Sequence, residues 1–472
     1  MARYHYERLS AESASFLMLD GARRSHHTAA TLIFEAGPMA TPEGGVDIDA
    51  LREAIAARLH RVPRFRQRVR WIPFENHPVW VDDHDFNLDY HVRHTSLPRP
   101  GGLAQLRKMA ARIKAGRMDS RRPLWECWVL EGMEGGRFAI ILKMHNALIE
   151  GRGADLLQVL LSAGPEEAEE KVPAFRPRPA PSTAELVFDE VVRGARLPRR
   201  ALERLARFVS NSEDLPRELL SRLESVARLL GYSIRSVPDT PLNGRTGPHR
   251  RFDMLTLSLD EARQVRRRLG GSINDVVLAT IAGAVARFLH TRYMNPATID
   301  FRVASPIQLR DQGGVSEWVV DLPIWEKDPL ARHAIVRQRT EAAHRESPAL
   351  GASTLFNVAE WTGSRLLALG ARSASSGTPA NMTVTNVPGP QVPLYLRGAR
   401  LLEAYGHAPL REHGALGIAL FSYDGKLCWG FNADLDLVPD LDRFTAGVEA
   451  SFRELVRAAA GGDPNLELVQ AS

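Results

Sequence analysis

Apolar residues in the first third of the chain switch between a spacing near 3.6 and a spacing of two, the signatures of amphipathic helices and half-buried strands. Residues 46–62 (VDIDALREAIAARLHRV) carry the helical period, and Pro63 separates them from the strand-like FRQRVRWI. HPVWVDD and FNLDYHVRHTSL then alternate as strands do, and GLAQLRKMAARIKAGR (102–117) returns to a helical period. WECWVLEGM and RFAIILKMHNALI read as two strands joined by EGG, a hairpin turn. The helical pattern GADLLQVLLSA follows.

Residues 164–184 are rich in proline and charge, the composition of a linker. Two arginine-studded helical stretches come next, and a second patterned unit begins near Thr240. It holds a strand (RFDMLTLSL), a helix (DEARQVRRRLG) and a long helix in SINDVVLATIAGAVARFLHTRY, with Ser272 or Asn274 as its start. Strand-like TIDFRVASPIQL and MTVTNVP follow, then LGIALFSYDGKLCWGFNAD, where Asp424-Gly425 marks a hairpin turn. Both halves mix helices with mainly antiparallel strands, which predicts an α+β protein of two similar lobes. The divisions expected are 1–164 for the first lobe, 165–239 for a proline-rich linker and basic helical crossover, and 240–472 for the second lobe.

A length of 472 residues suits two domains better than one core. Two cysteines, Cys127 and Cys428, make no disulfide framework and no CxxC metal motif, which points to a reducing cytoplasm. The N-terminal residues lack an uninterrupted apolar run, so no signal peptide is expected, and no stretch of about 18 apolar residues predicts a membrane span. A net charge of +5 is too mild for a nucleic-acid-binding signature, and no motif supports one.

KMHNALIEG (Lys143–Gly151) carries the candidate chemistry. A histidine, a polar neighbour, an acid and a glycine at a strand end suggest acid–base work on a tight turn. His145 is the only base of the first pair, since Asn146 cannot accept a proton. Gly151 fits a turn where a side chain would crowd a substrate.

Several ordered segments together resemble the bacterial wax ester synthase/diacylglycerol acyltransferase family. HNALIEG stands where that family has HHxxxDG. Pro123-Leu124-Trp125 looks like its PLW segment, and FNLDYHVR resembles FDLDYHVR, with Asn87 departing. TPLNGRTGPHRRF, the Asn274-Asp275 pair, TVTNVPGP and SYDGKLCWGFNADLDLVPD match further family segments in order.

The resemblance implies two chloramphenicol acetyltransferase-like lobes around a central tunnel. It implies transfer of a fatty acyl group from acyl-CoA, the co-substrate, to a fatty alcohol or diacylglycerol. It further implies work at a membrane or lipid-droplet surface, with no permanently bound cofactor and no metal.

In this family the second histidine is the base, and its position is Asn146. The motif's acid, Glu150, is generally structural and pairs with an arginine; Arg310 is the first candidate partner and Arg302 the second. Successive strand residues point to opposite faces, so His145 should turn away if Asn146 faces the tunnel, as a buried histidine bonded to backbone. His91, His249 and His407 are further candidate histidines for the tunnel.

Pro123, Leu124 and Trp125 read as tunnel-wall packing, and Asn274 and Asp275 as substrate-side residues or a helix cap. The arginine-rich stretch 193–235 reads either as a surface for anionic lipid or as a solvated linker helix pair. Three functions stay open: a weakened O-acyltransferase, a non-catalytic acyl-lipid or acyl-CoA binder, and an acyltransferase on an acceptor that brings its own base.

Overall fold

The computed structural model describes residues 4–21, 26–149, 161–166, 173–193, 239–308, 315–345, 380–411 and 413–461. Glu150, Gly151, Arg310, the helical pattern after the motif and most of the 193–235 stretch lie outside the described residues.

The first lobe opens with β1 (Glu7–Arg8), α1 (Ala11–Leu19) and β2 (His27–Glu35). It continues through α2 (Ile48–Arg58), β3 (Gln67–Trp71), β4 (Pro78–Asp82), β5 (Val92–Ser96), α3 (Leu103–Ala115), β6 (Trp125–Met133) and β7 (Arg137–His145). The stretch read as one strand from Phe86 is interrupted. Asn87 accepts a bond from the Asp89 N–H at 2.9 Å and caps a helical turn, Leu88–His91, before β5 begins. The asparagine side chain offers the backbone a local partner that competes with a ladder. The β6–β7 hairpin turns through Gly135 and Gly136, both with positive φ (77° and 63°).

The second lobe comprises β8 (Arg250–Ser258), α4 (Leu259–Leu269), α5 (Ile273–Thr291), β9 (Phe301–Gln308), β10 (Val315–Leu322) and α6 (Pro329–Arg345). After these come β11 (Met382–Pro388), β12 (Tyr395–Leu396), β13 (Ala399–His407), β14 (Leu416–Tyr423), β15 (Lys426–Asp434) and α7 (Leu441–Ala460). Asp424 and Gly425 turn the β14–β15 hairpin with φ of 44° and 77°, as a two-residue loop requires. Helix α5 has the length and mean hydropathy of a membrane span, but 72% of its apolar window is buried. It packs against α4, α6 and α7 as the core helix of this lobe.

Each lobe has one mixed six-stranded sheet, and a small sheet β1-β4-β3 flanks the first. The second sheet runs β10-β9-β11-β14-β15-β8. The first runs β12-β13-β2-β7-β6-β5, so two of its strands come from beyond residue 390. Along β13, the pairs Ala404↔Leu32, Tyr405↔Thr31 and His407↔Ala29 join it to β2. A division of the chain by residue order therefore leaves out the strand that completes the first sheet's edge.

The lobes share a core where α3 and β13 meet β8 and β15, through residues such as Ile141, Leu106, Phe252, Tyr405 and Cys428. Arg107 on α3 pairs with Asp253 on β8 at 2.8 Å across this seam. The approach is closest at two glycines: a Cβ on Gly430 would lie 1.9 Å from the Gly406 carbonyl oxygen. Gly430 has no positive φ, so the constraint there is space alone.

Gly430→Ala should therefore destabilise the fold by about 1–3 kcal/mol or more, the range of overpacking in a core that cannot relax. Gly37→Ala, where a Cβ meets nothing within 4 Å, should leave the midpoint of denaturant unfolding nearly unchanged. Equal midpoints for the two variants would contradict the close approach.

Candidate active site

Strand β7 ends at His145, and Asn146 opens a short helical turn, Asn146–Ile149. The backbone fixes the change of direction. The His145 N–H donates to the Leu124 carbonyl at 3.0 Å, and the Asn146 N–H donates to the His26 carbonyl at 2.8 Å.

The His145 ring is 1% exposed. Its Nδ1 accepts the Ala147 N–H at 3.1 Å, and its Nε2 lies 3.0 Å from Asp20 Oδ2. A backbone N–H can only donate, so Nδ1 carries the lone pair and Nε2 the proton. Both nitrogens are committed, and the imidazole acts as a strut under the turn. Asp20, just past α1, also accepts the N–H and Nδ1 of His26, each at 2.8 Å. Burial alone would raise the Asp20 pKa, but the bonds from His145 and His26 outweigh it and hold the carboxyl well below its usual range.

His27 stands opposite His145 in the β2–β7 register, with ring centroids 5.4 Å apart. Burial first, then Lys114 and Lys143, push its pKa down to about 2, and its buried Nδ1 has no hydrogen-bond partner. The two lysines differ. Lys143 reaches the Gly116 carbonyl and stands 3.6 Å from Glu126. Lys114, on the last turn of α3, donates to the His27 carbonyl and forms no ion pair with any described carboxylate. Burial, followed by Lys143 and Arg250, pushes its pKa down to about 7.

Across the seam, His407 on β13 bonds Thr31 Oγ1 through Nε2 at 2.8 Å and lies flat on Phe252, centroids 3.6 Å apart. Its Nδ1 is buried and unpaired, as are Oδ1 of Asn432 and Oδ1 of Asn146. Around this seam, the buried His27 Nδ1, Asn146 Oδ1, His407 Nδ1 and Asn432 Oδ1 thus lack protein partners. Ligand atoms of Asp20, His27 and His145 lie within 4.8 Å of one another. The set suits a cation poorly, because His145 Nδ1 is occupied, Asp20 already accepts three bonds, and two lysines stand nearby.

The family model described as wax ester synthase/diacylglycerol acyltransferase catalytic domain matches residues 9–277, and that of the WS/DGAT C-terminal domain matches residues 315–456. The chain belongs to the wax ester synthase/diacylglycerol acyltransferase family. A putative diacylglycerol O-acyltransferase of Mycobacterium tuberculosis is 32% identical, over 96% of this chain and 97% of its own length.

Among solved structures, a wax ester synthase/diacylglycerol acyltransferase from Marinobacter aquaeolei has a TM-score of 0.67 at 23% identity, covering 96% of this chain and all of that one. A starter condensation domain of rhizomide synthetase gives a TM-score of 0.56 at 14% identity over 96% and 94% of the two chains. The fold is thus the two-lobed α+β architecture of condensation-type acyltransferases. Membership makes acyl transfer from acyl-CoA the chemistry against which the site is read.

In this wax ester synthase/diacylglycerol acyltransferase frame, the residues expected to act divide by location. His145 and Asn146 sit at the strand end, beside Leu124, whose carbonyl anchors His145. Pro123, Leu124 and Trp125 are buried, and Trp125 stacks on Phe65 and His91 while its Nε1 donates to the Phe65 carbonyl. His91 bonds the Trp125 carbonyl, and His249 is exposed; of the three extra histidines, His407 alone joins the seam.

Asp275 closes a capping box with Ser272 and takes the Thr340 hydroxyl at 2.6 Å. Its Oδ2 caps the helix and its Oδ1 ties it to Thr340 of α6, and neighbouring Asn274 is partly buried in the first turn. Arg302 pairs with Asp321 at 3.0 Å across β9–β10. Asp20, His27 and Lys114 were not singled out from sequence. The usable signal for Lys114 was its place, eight residues after Leu106 and four after Ala110, on the apolar stripe of α3.

His27 and His407 stay neutral in the fold, while the same residues protonate near pH 6.5 when unfolded. The unfolded state then binds more protons as pH falls, so stability drops below about pH 7. Urea unfolding should show a falling midpoint between pH 7 and pH 5, and a flat profile would contradict the neutral assignment. The Asp20 contribution runs in the same direction over a lower window: it is present above about pH 4 and lost as pH falls toward the lower folded pKa. Asp20→Asn at pH 7 should cost about 1–3 kcal/mol, the scale of hydrogen bonds to a charged group.

Proposed function

We propose that this chain transfers a long-chain fatty acyl group from acyl-CoA to the hydroxyl of a fatty alcohol or diacylglycerol, slowly, because residue 146 is asparagine. The observation that carries the reading is the buried, unpaired Asn146 Oδ1 at the end of β7. That oxygen accepts a hydrogen bond from the incoming hydroxyl and orients it toward the thioester carbonyl. It cannot take the proton, so no base at position 146 contributes the roughly 10²–10⁴-fold that general-base help supplies.

Lipid substrates place the work at a membrane or lipid-droplet surface facing the cytoplasm. Phe188 and Val191, 65% and 66% exposed, support this on the 183–193 helix that leads into the arginine-rich stretch. A second reading, an acyl-CoA-binding protein without turnover, is favoured by His145, whose two nitrogens are both occupied.

Ester formation and CoA release by the purified protein and its Asn146→His variant, with hexadecanol and diacylglycerol supplied separately, test the proposal. The expected result is slow ester formation by the native chain and a rise of roughly 10²-fold or more in the variant. Acyl-CoA binding without ester from either protein would favour the binding reading.

A further inference from the structure

We propose that Lys114 is the catalytic proton acceptor of this chain, its amine taking the hydroxyl proton that Asn146 cannot. The assignment rests on the acyl-transfer reading above.

Three observations meet at this side chain. The first is position. Lys114 Nζ bonds the His27 carbonyl, His27 pairs with His145, and Asn146 follows at once, its own N–H bonded to His26. The amine thus sits one strand pairing from residue 146, on the side of the first sheet that α3 covers, with β8 packed on α3.

The second is the absence of a counter-charge among the described residues. Lys143 has Glu126, Arg107 has Asp253, and Arg250 has Asp434 at 3.5 Å. Lys114 has one carbonyl. A buried ammonium so placed is strongly disfavoured, and the neutral amine avoids that cost while exposing a lone pair.

The third is the set of groups facing it. Lys143 from β7 and Arg250 from β8 lower its basicity, and Asp20 beyond α1 raises it. His27 from β2 and His407 from β13 stand near it as neutral rings. The balance leaves the amine at about 7, a value suited to exchanging a proton with an alcohol near neutral pH.

The step balances without another reactant. The Nζ lone pair takes the hydroxyl proton as the oxygen bonds the thioester carbon, and the carbonyl electron pair moves onto its oxygen. When that pair returns, the carbon–sulfur bond breaks. The departing sulfur takes the proton from the ammonium, giving ester, CoA thiol and neutral Lys114.

The test uses the full-length protein with hexadecanol and acyl-CoA. Native activity should rise with pH through one ionisation near 7. Lys114→Met and Lys114→Arg, the second keeping the charge, should each lose roughly 10²–10⁴-fold in kcat while retaining acyl-CoA binding. Adding Asn146→His to Lys114→Met should restore turnover, which a merely structural lysine would not allow.

NMR of the 13C-labelled lysine side chains, with Lys114 assigned by its absence in Lys114→Met, should show its amine titrating near neutrality. Unchanged kcat in both lysine variants, or an amine still protonated above pH 9, would overturn the assignment. So would a native protein with no activity beside an active Asn146→His variant, a result that keeps the acyl-transfer site but not turnover by the native chain. Inactivity of both proteins would remove the reading beneath it as well.

Discussion

Where β13 crosses the second sheet, backbone meets backbone with no side chain between. The Gly406 carbonyl occupies the space that a Cβ on residue 430 would need, so two strands from different sheets approach more closely than any larger pair would permit. This contact sets the separation of the lobes. It fixes the height at which His407 lies on Phe252 and reaches Thr31. It also sets how far α3 sits from β8 and so where the Lys114 amine ends. The polar seam hangs from an apolar, side-chain-free crossing.

Charge in that seam is distributed unevenly, and the unevenness gives it chemical meaning. Most buried cations have a carboxylate on an adjacent strand or helix, as Lys143 has Glu126. The carboxylate that holds His145, Asp20, is also engaged by His26. It stabilises the turn that presents Asn146, and nothing remains of it for a substrate. The buried acceptors and donors without protein partners lie on either side of this line. They belong to both lobes, as expected of a site that neither lobe forms alone.

Much of this was legible in the chain. Apolar periods and the glycine-rich turns gave both hairpins, the long α5 with its Ser272 cap, and the two-lobed α+β class. The motif's place at a strand end followed from the pattern of β7. Local pattern carries no information on which distant strand completes a sheet, so the pairing of β13 with β2 was invisible. The same holds for Asp20 and His27. Their role depends on strand register and on a loop that returns to the motif across more than a hundred residues. Asn87 misled for a different reason, because its side chain substitutes for a ladder partner and bends an alternating sequence into a helical turn.

The crossing of β13 has a consequence for how the polypeptide comes into being. Strand β2 emerges from the ribosome long before its outer partner, which is not made until residues 399–407 have been added. N-terminal regions generally begin folding during synthesis. Here such an intermediate carries an unsatisfied edge, a row of N–H and C=O groups open to pairing with other chains. Completion of the first sheet is thus a late event that joins segments far apart in the chain. The seam, with His407 at its centre, takes shape only after β13 has been made.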